Sequence, residues 1–166
     1  MSSVTRQSSS PGRDIQRMEQ AVSQFIGFRL EAEDYAIAIR TIQEIILMKP
    51  ITRLPRAPDS IEGLINLRGT VIPIVSLRKR FGLATRPFDD ETRTIVVNSH
   101  GKTVGLIVDE VTEVMKINND QIQPVPIAVT SVSQRYISGL AKREDRLLIV
   151  LDIDKLFDPN ELDPGA

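Results

Sequence analysis

Apolar and polar positions alternate along most of this chain in short runs, each closed by a turn-forming residue. FIGFRL (25–30) and YAIAI (35–39) flank EAED as a predicted hairpin. TIVVN (94–98) and TVGLIVD (103–109) flank SHGK as another, with Gly101 tolerating the positive φ of a tight turn. EIILM (44–48), LINL (64–67), VIPIV (71–75), EVMKI (113–117) and RLLIVLDI (146–153) read as further strands. Pro50, Pro55, Pro58, Gly69, Pro124, Pro126 and Gly139 punctuate them. Many short strands with such punctuation predict a mainly β fold of small barrels or sandwiches, not an α/β sheet. Pro73 lies inside a strand pattern and has no N–H to donate, which predicts an edge strand or a bulge there.

The pattern repeats. Gly63-Leu64 precedes VIPIVSLRKRF and Gly139-Leu140 precedes LLIVLDIDKLF, with 18 positions from Gly63 to Phe81 and again from Gly139 to Phe157. Each copy leads four apolar strand residues into a helix-capping residue, Ser76 or Asp152, and then a short helix. On those helices Leu77 and Phe81, or Ile153 and Phe157, share one face. Upstream, YAIAIRTIQEI (35–45) aligns with VGLIVDEVTEV (104–114), placing Ile42 over Val111 and Glu44 over Glu113. The offsets are 76 (63 to 139) and 69 (42 to 111), so a seven-residue insertion separates the two alignments. Two similar β units follow, about 25–83 and 93–158, joined by the polar link ATRPFDDE. Two barrels side by side leave a groove, the kind of place where ligands bind.

The chain ends differ from this pattern. Residues 1–13 are Ser-rich and close on Pro11-Gly12, a composition expected to stay disordered, and 14–22 carry Ile15, Met18 and Val22 at the spacing of a short amphipathic helix. The expected organisation is a tail over 1–22, a folded domain over 23–160 and a frayed end over 161–166. Hydrophobic residues make up 41% and charged residues 26% of 166, an ordinary globular balance. A net charge of −1 supplies no field for phosphate neutralisation, and 4% aromatics without Trp leave little for base stacking, so nucleic acid is not expected as a partner. No signal-like leader or apolar run long enough to span a bilayer is present, which predicts a cytoplasmic protein without direct membrane insertion.

Candidate chemistry is sparse. With no Cys and a single His, a zinc or other transition-metal site is not expected, nor any cofactor. His100 sits at a hairpin tip, where a solvated residue is the expectation. GKTVG (101–105) lacks the glycines before the lysine and the following helix that a phosphate loop needs. Asp109 and Glu110 are adjacent in a strand and so point to opposite faces. Nothing supplies a nucleophile, base and oxyanion set, so a small β-scaffold enzyme is a remote alternative and the chain is read as a non-enzyme. The basic triplet Arg78, Lys79, Arg80 is expected to be a solvated helix face. Arg68 is different: it ends an apolar strand at the Asn66–Gly69 turn, within reach of Glu44 or Glu113 for an ion pair.

IEGLINLRGTVIPIVSLRKRFGL (61–83), YAIAIRTIQEI, ITRLPRAP (51–58), TVGLIVDEVTEV and ISGLAKREDRLLIVLDIDKLF (137–157) together resemble the CheW family of bacterial chemotaxis coupling proteins. The resemblance runs from about Phe25 to Phe157 with every motif in order, and NLRG-x-V-I-P-I is its most specific piece. It implies two small five-stranded β-barrels packed around a shared core with a groove between them, plus short helices. It also implies a non-catalytic adaptor that joins methyl-accepting chemotaxis receptors to the CheW-like regulatory domain of the histidine kinase CheA, recruited through receptors to the inner face of the membrane. Position by position, the resemblance implies a receptor-facing set of Ile42, Glu44, Gly63, Arg68, Val111 and Gly139, and a kinase-docking patch of Leu47, Met48 and Ile51. Ser76 stands where the family often has Asp; both residues cap helices. CheW-like domains also occur within CheA and CheV, but no receiver, phosphotransfer or ATPase segment accompanies this one, which fits a free-standing coupling protein. The alternative is the same role in a chemotaxis-like pathway controlling pili or surface behaviour.

Overall fold

The computed structural model describes residues 22–125 and 134–157, so the expected tail, the frayed end and all of the expected N-terminal helix except Val22 lie outside the described residues. The strands are β1 (Val22–Leu30), β2 (Glu33–Ala38), β3 (Ile42–Leu47), β4 (Ile61–Leu67), β5 (Thr70–Ser76), β6 (Arg93–Ser99), β7 (Lys102–Val108), β8 (Glu110–Asn118), β9 (Ile122–Gln123), β10 (Ile137–Arg143) and β11 (Arg146–Leu151). Two helices of one turn, α1 (Leu77–Arg80) and α2 (Ile153–Leu156), follow β5 and β11. Ser76 caps α1 by accepting from the Lys79 N–H, and Asp152 caps α2 by accepting from the Asp154 N–H, as the repeat requires.

The strands form two sheets, ordered β3-β6-β7-β5-β4 and β8-β1-β2-β11-β10-β9. Each sheet closes on itself. β8 and β9 lie at opposite ends of their sheet, yet only the 3-10 turn Asn119–Gln121 separates them in the chain. In the other sheet Thr52, a few residues beyond β3, forms a bridge to Leu64 of β4. With β8 and β9 taken as one bent strand, each is a five-stranded barrel, closed by the Thr52–Leu64 bridge in one and by the β9–β10 pairs in the other.

The repeat is present in the hydrogen-bond registers. Ile42 pairs with Val97 and Glu44 with Val96 across a bulge; Val111 pairs with Phe28 and Glu113 with Gly27 across the equivalent bulge. Ile61 pairs with Val75 and Gly63 with Ile74, matched by Ile137 with Leu151 and Gly139 with Val150. The parallel pair Ile74–Gly105 is likewise matched by Val150–Ala36. The two units do not, however, fold as 25–83 and 93–158. Hairpin β1–β2 joins the sheet of β8–β11, and hairpin β6–β7 joins the sheet of β3–β5, so the units exchange hairpins. Alternation along a strand records which face is buried and not which strand is its neighbour, so the exchange is invisible in the repeat.

Two further strand assignments differ from the sequence reading. β5 lies between β7 and β4 and is interior. Pro73 pairs with Leu64 on one side, while the β7 ladder begins only at Ile74, so the missing N–H falls just before that ladder. β10 occupies a segment that Gly139 had marked as a break. Its glycine is tolerated because the neighbouring β9 backbone lies too close for a side chain.

Among the described residues three apolar clusters hold the fold. One fills the first barrel (Ile65, Leu67, Ile72, Ile74, Val96, Ile107) and one fills the second (Phe25, Ala36, Met115, Ile117, Leu148, Val150). The largest lies between them and draws Phe28, Tyr35 and Ile37 from one sheet, Val97, Val104 and Leu106 from the other, and Phe81 and Phe157 from the helix ends. Phe28, Tyr35, Phe81 and Tyr136 form a chain of ring contacts through it, with centroids 5.5, 5.7 and 5.9 Å apart. This is the shared core.

Candidate binding site

The bulge in β3 re-aims Glu44 at the β4–β5 turn, where Arg68 is held with φ 52° and Gly69 with φ 89°. The Asn66 side-chain oxygen accepts from the Gly69 N–H at 2.7 Å and fixes that turn. Arg68 Nη1 donates to Glu44 Oε1 at 3.1 Å and Nη2 donates to the other carboxylate oxygen, a two-pronged pair. The Arg68 hydrogen bond and charge hold the Glu44 carboxyl below its ordinary pKa. Arg68 keeps 65% of its side chain open to solvent, so the pair presents an ordered guanidinium face to any partner.

The second barrel carries its own version. Glu113 accepts from Arg143 Nη2 at 3.3 Å and lies 4.0 Å from Arg146, which also reaches Asp34 at 3.4 Å. Glu144 occupies the turn position equivalent to Arg68 and shares its positive φ, 56°. The arginines flank it in sequence. Both barrels thus place a carboxylate–arginine clamp at the equivalent place in the repeat.

Ile42 and Val111, at matching ends of β3 and β8, are half-buried against the shared core and not wholly covered by it; Ile61 and Leu140 behave alike. Gly63 and Gly139 differ from the rest of the expected set, because both are buried. A Cβ on Gly63 would collide with the Thr52 carbonyl oxygen and sit 2.8 Å from Ile51, and Gly63 has φ 152°. On Gly139 it would meet Ile122 at 2.5 Å and the Gln123 carbonyl oxygen at 2.9 Å. These glycines let the barrel-closing segment cross their strand. Of the expected apolar patch only Leu47 is open, at 66%; Met48 and Ile51 pack against the first barrel's core, and Met48 Sδ accepts from Thr94 Oγ1 at 3.3 Å.

The basic triplet is not a solvated face. Arg78 is buried, donating from Nε and Nη2 to the two Asp109 oxygens at 2.8 and 2.6 Å, and from Nη1 to Glu31 and to the Ala84 carbonyl oxygen. Lys79 pairs at 2.8 Å with Glu62, itself buried, and the Arg80 guanidinium lies 5.8 Å from the centre of the Phe157 ring. A one-turn helix set against the shared core leaves Lys79 and Arg80 only partly exposed. Asp109 also accepts the Glu31 N–H at 2.9 Å. Burial pushes its carboxyl up, but the Arg78 side chain and the Glu31 N–H outweigh that and hold it below the ordinary range. His100 is anchored as well: its Nε2 lies 2.8 Å from the Asp154 carbonyl oxygen and 3.2 Å from that of Phe157. Sequence reasoning missed the Arg78–Asp109 pair. Its one signal was the position of Arg78, immediately after a cap and beside the core residue Leu77.

Among the described residues no group of three His, Asp or Glu side chains could hold a metal ion, and no helix is long and apolar enough to cross a membrane. A duplicated two-barrel domain with half-buried apolar residues against its shared core and a carboxylate–arginine pair on each barrel defines a protein-binding module. Residues 24–161 match the family model of the CheW-like domain. Chemotaxis protein CheW of Klebsiella aerogenes is 37% identical over 139 residues, 84% of each chain, and that of Helicobacter pylori is 37% identical over 154 residues, 92% of each. The crystal structure of the scaffolding protein TtCheW from Thermoanaerobacter tengcongensis superposes with a TM-score of 0.78 at 36% identity, covering 86% of this chain and 92% of that one. The chain belongs to the CheW family, and it is a chemotaxis coupling adaptor.

Proposed function

We propose that this adaptor joins the cytoplasmic tips of methyl-accepting chemotaxis receptors to the histidine kinase CheA, without catalysis and on the inner face of the membrane. A receptor helix lies along the groove between the barrels, where Ile42 and Val111 offer apolar contact and the Arg68–Glu44 clamp sets orientation. Gly63 and Gly139 serve the same surface indirectly, by letting the closing segments lie flat beneath it. The kinase's CheW-like domain docks on the first barrel around Leu47, with Met48 and Ile51 as the packed base of that patch. The observation that carries this reading is the two-pronged Arg68–Glu44 pair, ordered yet largely open to solvent. Such a pair is weak as a stabiliser and useful as a recognition element.

The test is reconstitution with receptor cytoplasmic fragments and CheA. The intact protein is expected to bind both and to place kinase activity under receptor control. Failure to bind either, with the fold intact, would sink the proposal.

A further inference from the structure

Three structural elements meet at Asp109. This residue is the single link between β7 of one barrel and β8 of the other, so it marks a point where the chain crosses between sheets. Arg78 comes from α1, which follows the first barrel's β5. Glu31 comes from the β1–β2 turn of the second barrel, where it is held at φ 55°. The Asp109 N–H donates to the Arg29 carbonyl oxygen at 3.1 Å, so this crossing residue is held on both its backbone and its side chain. Arg78 and Asp109 keep only 8% and 10% of their side chains exposed.

The repeat supplies a second clasp at the related place. Offsets of 69 and 76 carry Glu31 to His100 and Arg78 to Asp154. His100 has φ 52°, and its N–H donates to Asp154 Oδ1 at 3.3 Å, as the Glu31 N–H donates to Asp109. Both clasps therefore tie a hairpin turn of one barrel to the short helix of the other. They differ in strength. The first has the buried, charge-assisted, two-pronged Arg78–Asp109 bonds at its centre, whereas the His100 contacts are exposed or only part-buried. Of the two clasps, the first is the firmer restraint beside the shared core.

We infer that Arg78 and Asp109 are positioning residues, which set the angle between the barrels and hence the width of the groove without touching the receptor. The functional half of this rests on the groove reading above; the geometric half does not. A buried pair of this kind adds little stability over apolar residues of the same size, but it admits only one relative placement of the three elements it joins. Packed cores transmit such a restraint because they do not deform continuously.

The chain has no cysteine, so spin labels can be placed at will. Val71→Cys and Leu147→Cys label one exposed site on each barrel, and the distance distribution between them is read by pulsed electron resonance without any partner present. Asp109→Asn is expected to stay folded, to broaden or shift that distribution, and to weaken binding of a receptor cytoplasmic fragment by about tenfold. Should Asp109→Asn fail to fold, Arg78→Lys, which keeps the charge and loses the two-pronged bond, carries the same test. An unchanged distribution in the folded variant overturns the inference, whatever happens to binding. A changed distribution with undiminished receptor binding overturns the link between barrel angle and groove, and with it the groove reading.

Discussion

Gly63→Ala separates a structural role for this glycine from a role in receptor contact. The added Cβ would overlap the Thr52 carbonyl oxygen and come within 2.8 Å of Ile51, in the segment that closes the first barrel through the Thr52–Leu64 bridge. Overpacking of this kind costs about 1–3 kcal/mol. A φ of 152° is uncommon for any residue with a side chain, which adds about 1–3 kcal/mol. Gly139→Ala meets neighbours at 2.5 and 2.9 Å but has no such backbone penalty, so only the overpacking cost of about 1–3 kcal/mol applies. At about 2–4 °C per kcal/mol for a domain of this size, Gly63→Ala is expected to lower Tm by about 4–24 °C and Gly139→Ala by about half as much. Thermal unfolding followed by circular dichroism measures both. If Gly63→Ala melted like the parent while losing receptor binding, the glycine would be a contact and the crossing-strand argument would be wrong. Equal losses for the two glycines would refute the backbone part of the estimate.

Arg68→Glu places like charges together at an exposed turn and is expected to abolish receptor pulldown with little change in Tm. Arg68→Gly relaxes the left-handed turn residue, so it is expected to melt no lower than the parent while binding receptor less well. Leu47→Ser should leave Tm nearly unchanged and weaken CheA binding, whereas Met48→Ala and Ile51→Ala should lower Tm by removing core packing, as calorimetry and pulldown would show. Asp109 has a folded-state pKa below its unfolded value of about 3.9, so the folded state binds fewer protons than the unfolded state in that window. Its contribution to stability is therefore full above the unfolded pKa and is lost as pH falls through the folded one. Denaturant midpoints of the parent and Asp109→Asn should differ most near neutrality and converge in acid.

Much of this protein was determined by its sequence alone. The two hairpins, the caps Ser76 and Asp152 and the internal repeat follow from local pattern, because alternation and capping act between near neighbours. Ile42 over Val111 and Glu44 over Glu113 hold to the residue, since register is tied to which face is buried. The Arg68–Glu44 pair was partly within reach of the same reasoning: a long cation at a strand end needs an acid, and the repeat offered Glu44 and Glu113, between which the structure decides. What the tertiary structure alone decided is partnership. The repeat cannot show that its units exchange hairpins, so it cannot show that Asp109 is a crossing point or that Arg78 is buried there with Glu31. Nor can it show that Gly63 and Gly139 lie beneath crossing strands, or that Met48 and Ile51 face inward beside an outward Leu47. A charge run has the same letters whether it meets water or a buried carboxylate. Only the arrangement of strands distant in sequence determines which, and that arrangement also determines the shape of the groove.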